Sequence, residues 1–165
     1  MTSAGALPDP TYTPGATDPA VSQQTLAATI CAYGWTRTVR PPESYTEEVK
    51  RLEAQSGGTV AYGGVTYHVH GWALADPNLS HYELDHLIPL ELGGAPADPR
   101  NLWLEPYEAP KGDAPPGGGA QTKDNVESAA REAVCAGRLT LQDAQRAIAS
   151  NWYELARQLG AIVGR

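Results

Sequence analysis

"YELDHLIPLELGG", residues 82–94, sets an acid and an imidazole, Asp85 and His86, against an apolar run that halts at two glycines. A strand built only for packing has little use for two groups that carry charge and move protons. The flanks define a larger unit. "LDHLIPL" reads as a strand, with Pro89 ending it or confining it to an edge, and "NLWLE" reads as a second strand. Between them "ELGGAPADPR" has the glycines and prolines of a wide connection rather than a tight turn. Helical periodicity resumes near Lys123, so the predicted order is strand, strand, helix.

Such an order can gather side chains from three elements around one ion. Asp85 offers a hard oxygen, His86 a nitrogen that either ligates metal or takes a proton, and Asn101 an amide able to orient an imidazole. An acid near the helix start would complete the set. Asp124 and Glu127 are the candidates, Glu127 lying about one turn further along the same face.

With these residues in view, "DHLIPLELGG…DPRNLW" resembles the HNH endonuclease motif of the ββα-metal nucleases, over about residues 82–127. The resemblance implies that Asp85 is a metal ligand, His86 the general base and Asn101 its orienter. Two features depart from the pattern: no histidine follows Asn101, and zinc-knuckle cysteines are absent. The third ligand position therefore falls to another residue type, Asp124 first and Glu127 second, with Lys123 or Asn125 as a variant that holds phosphate or metal differently. More widely, "ICAYGWTRTVRPPESYT", "NLWLEP" and "KDNVE…VCAG…LQDAQRAIASNW" are similar to a set of bacterial, often exported, HNH-like proteins. The implied chemistry is phosphodiester hydrolysis in DNA, with RNA as a further substrate. His86 would activate water beside a divalent ion, Mg²⁺ or Mn²⁺, while Zn²⁺ or Ni²⁺ could bind without supporting turnover. Arg100, Lys123 and Glu83 are the candidate substrate contacts, with Arg37 and Arg40 as further basic groups. The rival expectation is an exported binding module that keeps the scaffold without the chemistry.

Outward from the motif, "TVAYGGVTYHVHGW" alternates β-branched and aromatic residues on either side of Gly63-Gly64, the pattern of a two-residue hairpin. Upstream, Ser44 and Glu47 have capping-box spacing, and "TEEVKRLEAQ" turns Val49 and Leu52 inward until Gly57-Gly58. "QQTLAATICAYGWTRTVRPP" should pack through Ile30, Cys31 and Trp35 before Pro41-Pro42. Downstream, Val126, Ala130 and Val134 form one helical stripe ending at Gly137. Thr140 and Asp143 then cap a second helix, whose Leu141, Ala144, Ile148, Trp152, Leu155 and Leu159 keep helical spacing. Residues 1–22, rich in proline and small polar groups, read as a mobile arm, and residues 109–121 as a Gly/Pro-rich loop. The expected fold is α+β: a ββα-metal core with a short N-terminal helix, a small hairpin and two C-terminal helices, in one domain over residues 23–165.

Composition limits the alternatives. The 165 residues suffice for one core. No apolar run is long enough to cross a bilayer, and the first residues lack the features of a signal peptide. A formal charge of −7 argues against coating nucleic acid by bulk electrostatics, but leaves room for an ion held at one point. A monomer is expected. Cys31 and Cys135 belong to no Cys-x-x-Cys pair; they are either buried thiols or a long-range disulfide, which would contribute about 4 kcal/mol and point to an oxidising compartment. His68 and His70 share a strand face, where two exposed sheet imidazoles are the plainer reading than a metal pair.

Overall fold

The computed structural model describes residues 7–107 and 119–160. Among these, the chain is α+β, with four α-helices and two antiparallel hairpins. The order is α1 (Trp35–Val39), α2 (Glu43–Glu53), β1 (Gly58–Tyr62), β2 (Val65–Val69), β3 (Tyr82–His86), β4 (Leu102–Pro106), α3 (Ala120–Cys135) and α4 (Leu141–Leu159). Most of the expected 109–121 loop lies outside the described residues.

Gly63 and Gly64 both have positive φ, 58° and 79°, so β1 and β2 close through the expected two-residue turn. β3 and β4 pair in the register Glu83–Glu105, Leu84–Leu104, Asp85–Trp103 and His86–Leu102. Alternation therefore gives the second hairpin two unlike faces. Leu84 and Leu102 join Tyr45, Val49 and Leu52 of α2 and Val69 of β2 in one apolar cluster. On the other face, Glu83, Asp85, Trp103 and Glu105 look toward α3, which reaches them through Lys123.

A second cluster holds α3 to α4 through Val126, Ala130, Val134, Leu141, Ile148 and Trp152, with Ile88 and Leu92 of the β3–β4 connection packed into it. Thr140 accepts from the Asp143 backbone N–H, the expected cap. The single long helix expected after it is two segments. Asn151 leaves helical geometry (φ −165°, ψ 94°), and its side chain accepts from the N–H of Tyr153 and Glu154, restarting the helix. α2 begins at Glu43, two residues before the capping-box spacing placed it after Ser44, because Pro42 sets the entry angle.

Composition marked residues 1–22 as a mobile arm, and for the described part the structure corrects this. Gly15 N–H donates to Arg100 O, Asp18 N–H to Gly93 O, and Ala95 N–H to Ala16 O, while Thr13 and Val21 are buried. The segment is ordered by backbone hydrogen bonds to the β3–β4 connection, which proline-rich composition does not reveal. Cys31 and Cys135 are joined as a disulfide, tying the segment before α1 to the end of α3.

Candidate active site

His86 ends β3 and is only 8% exposed. Its Nε2 lies 2.9 Å from the carbonyl of Pro96. A carbonyl can only accept, so Nε2 carries the proton and Nδ1 keeps the lone pair. Burial pushes the His86 pKa below its ordinary value, outweighing the Pro96 contact and the Asp85 charge, so the ring is neutral near pH 7. The result is a fixed tautomer with one basic nitrogen.

Asn101 does not touch that ring. Fully buried, it accepts from Ile88 N–H (2.9 Å) and donates to the carbonyls of Ile88 (2.9 Å) and Ala95 (3.2 Å), while its own carbonyl accepts from Leu87 N–H. The expectation that it orients His86 directly is replaced by an indirect route. Asn101 closes the connection between the strands, and that connection presents the Pro96 carbonyl to the imidazole. Gly94 makes the closure possible: a Cβ there would stand 1.7 Å from Ile88 O and 2.7 Å from Asn101 Nδ2.

Asp85, His86, Glu83, Asp124, Glu127 and Glu91 line one cavity of about 210 Å³, with Arg40 at its edge. The helix-start acids thus meet the strand acids, as the strand-strand-helix order requires. Burial, and then Asp85 and Asp124, push Glu83 up to about 7. Asp124 is raised too, by burial and then by Asp85. Glu91 is raised by burial, and its Oε2 is buried without a hydrogen-bond partner. Arg40 also lines an adjoining cavity of about 410 Å³ with Lys50, Glu83 and His86.

Lys123 was a candidate substrate contact, and the structure corrects this. Its side chain is fully buried, and its Nζ donates to Asp85 Oδ2 (2.7 Å), Glu127 Oε1 (2.6 Å) and His86 O (2.9 Å). Burial alone would push Lys123 down, but Asp85, Glu127 and Glu105 outweigh it and hold the amine above its ordinary value. Burial raises Glu127 despite the ammonium beside it. Glu105, 1% exposed, is raised well above the carboxylate range by burial and then by Asp85. Both of its oxygens are buried with no hydrogen-bond partner, an environment that favours the neutral acid. Trp103 Nε1–H also donates to Asp85 Oδ2 (3.3 Å).

Arg100 is corrected as well. It is held by Asp98 and lines a separate cavity of about 480 Å³ with His68, His70, Tyr12, Trp72 and Glu53. His70, just past the end of β2, stacks on Tyr12 there, and neither it nor His68 lines the cavity of Asp85 and His86. Glu105 and Glu91 went unrecognised in the sequence. The signal for Glu105 was its place in the apolar strand "NLWLEP", two residues after Trp103 and so on the same face.

The donors facing the cavity are hard oxygens whose raised pKa values reflect burial and mutual repulsion, which is chemistry suited to a divalent cation. Among the described residues, however, no three His, Cys, Asp or Glu side chains stand ready to hold one, and the innermost oxygens are occupied by Lys123. No family model, no curated protein and no solved structure matches this chain.

Proposed function

We propose that the chain is an endonuclease of the HNH type, hydrolysing phosphodiester bonds in DNA and, as the alternative polymer, RNA. The observation that carries this reading is the His86 ring: neutral, buried, anchored through Nε2 on Pro96 O, and bordering an acidic cleft. Water attacks phosphorus as His86 Nδ1 takes its proton, and the bond to the departing sugar oxygen breaks as that oxygen gains a proton from solvent. The imidazolium formed keeps its Nε2–H bond to Pro96 O, which favours the charged form. Asn101 acts as a positioning residue through the connection it closes. Arg40, exposed and lining both adjoining cavities, faces the scissile phosphate and offsets the negative cleft.

A divalent ion, Mg²⁺ or Mn²⁺, would be held at Asp85, Asp124 and Glu127, where it would have to displace the Lys123 ammonium from Asp85 Oδ2 and Glu127 Oε1, and when bound would supply charge stabilisation to the phosphoryl oxygens. A second reading, an exported binding module on the same scaffold, is favoured by one observation: a lysine, not a ligand, reaches the innermost oxygens.

Cleavage of supercoiled plasmid and of single-stranded RNA, each with Mg²⁺, Mn²⁺ or excess EDTA, separates the two. Metal-dependent cutting that falls by ~10²-fold or more in His86→Ala supports the nuclease. The acid limb of its rate profile should lie below pH ~6.5, because the base is held neutral below the ordinary histidine value. A folded protein that cuts neither polymer with any metal supports the binding module.

A further inference from the structure

The cavity of about 480 Å³ that takes in Arg100 shares no residue with the acidic cleft, and the hydrolysis proposed above makes no use of it. Distant stretches of chain form its walls. The segment carrying Tyr12 is one, fastened nearby by the Gly15 N–H on Arg100 O (3.0 Å). Tyr67 and His68 of β2 form another, and the turn from Asp98 to Arg100 a third. Trp72 N–H donates to the carbonyl of Glu53 (2.7 Å), which brings Trp72 against the last residue of α2. Gly71 permits that approach, since a Cβ there would stand 2.4 Å from Gly57 N.

Glu53 is the feature that points to a ligand. It lines the cavity at 2% exposure, and its Oε2 is buried with no hydrogen-bond partner, a costly state that a guest could relieve. The surrounding charges narrow the choice of guest. Burial drives Glu53 toward the neutral acid and holds His70 below its ordinary pKa, while Asp98 and Arg100 neutralise each other at 2.6 Å. Glu53 thus offers an O–H donor rather than a charge, and its complement is an uncharged group with an acceptor. The aromatic wall calls for a flat one. His70 covers one face of the Tyr12 ring, with 3.6 Å between centroids, and Trp72 stands edge-on to it, yet Tyr12 keeps 44% of its surface exposed. A ring so braced is a stacking platform.

We propose that this cavity is a nucleobase subsite, in which a base stacks on Tyr12 and accepts a hydrogen bond from the Glu53 carboxyl. It rests on the nuclease reading only in choosing a nucleobase among neutral planar heterocycles. The base belongs either to a single strand or to a free nucleoside, and the recognition chemistry is common to both.

The test is binding followed by NMR, in EDTA so that no strand is cut. Adenosine, guanosine, cytidine and uridine are titrated singly, then a short single-stranded DNA, with the Trp72 indole N–H and the His70 ring as reporters. Saturable shifts of both signals are expected. Tyr12→Ala and Glu53→Met should each weaken binding roughly tenfold, through lost stacking and a lost hydrogen bond. Glu53→Gln should bind within about threefold of the unmodified protein, because an amide N–H replaces the carboxyl O–H. A strand that binds ~10-fold or more tighter than any nucleoside identifies the polymer as the source, and equal affinity identifies the nucleoside; both support the subsite. Absence of shifts with every probe overturns the proposal. Loss of binding in Glu53→Gln overturns it too, because the guest would then be recognised by a carboxylate. Plasmid cleavage by a protein that binds no base would remove this subsite alone, and base binding without any cleavage would remove the nuclease reading alone.

Discussion

The two hairpins share an architecture and little else. β1 and β2 are joined by two glycines, their residues are exposed or partly covered apart from the buried Val69, and the cleft draws no side chain from them. β3 and β4 are joined by a long connection with two short 3₁₀ turns, every residue of β4 is buried, and the hairpin carries Asp85, His86 and Glu105. The first is specified by its turn, so local sequence is enough. The second is specified by what lies against it: α2 on one face, α3 on the other, and the 13–18 segment along its connection. Five-residue strands become a candidate site only where distant chain covers both sides.

The largest test of that contrast compares two glycines. Gly94→Ala forces a Cβ into the Ile88 carbonyl and should cost upward of ~4 kcal/mol, whereas Gly64→Ala meets open space and pays only for its positive φ, about 1 kcal/mol. Urea unfolding of both variants measures the gap, and equal costs would dissolve the distinction between the hairpins. Next, Asn101→Ala strips the connection of three buried hydrogen bonds and should lose about 3 kcal/mol. If Asn101 positions His86 through Pro96, the same change removes a contact that favours the charged ring and moves the histidine titration further below its ordinary value, visible by NMR. A stability loss without that movement would separate the brace from the base.

The smallest effect is a matter of proton linkage beneath the hairpins. Glu53, at the end of α2, is buried with Oε2 unpartnered, and burial raises its pKa well above the ordinary carboxyl value. The folded state therefore binds a proton that the unfolded chain releases near pH ~4.3, and stability from this group falls as pH rises above that point. Glu53→Gln should flatten this part of the stability profile and raise Tm most at the alkaline end. Glu105 works in the same direction on the other face, so a residual slope in the variant reports on it.

What could be read from sequence follows the same division. Gly63-Gly64, the Val126–Val134 stripe and the Thr140 cap announce their elements because turn chemistry and periodicity are local. The Asp85-His86 pair was legible through the company it keeps. Lys123 was not: adjacent to a candidate ligand, it read as a phosphate contact, and only the packing of α3 on β3 shows that it points inward. Arg100 misled for the opposite reason. It follows Pro99 beside the key asparagine, yet the 3₁₀ turn rotates it away to Asp98. The 13–18 segment escaped because its hold on the fold is made by main-chain groups, to which composition is blind.

The 13–18 segment and the disulfide also set an order of events in time. The first hairpin closes over a two-residue turn, a microsecond step, whereas Thr13 meets Leu102 across 89 residues and Cys31 meets Cys135 across 104. Closing such spans carries an entropic toll before any contact repays it, so they form late. The connection that presents Pro96 to His86 takes backbone hydrogen bonds from the 13–18 segment, one of these late contacts. A chain caught partway through folding would already own its glycine-turn hairpin and still lack an anchored His86, which makes the emergence of the His86–Pro96 contact a clock for the final stage of assembly.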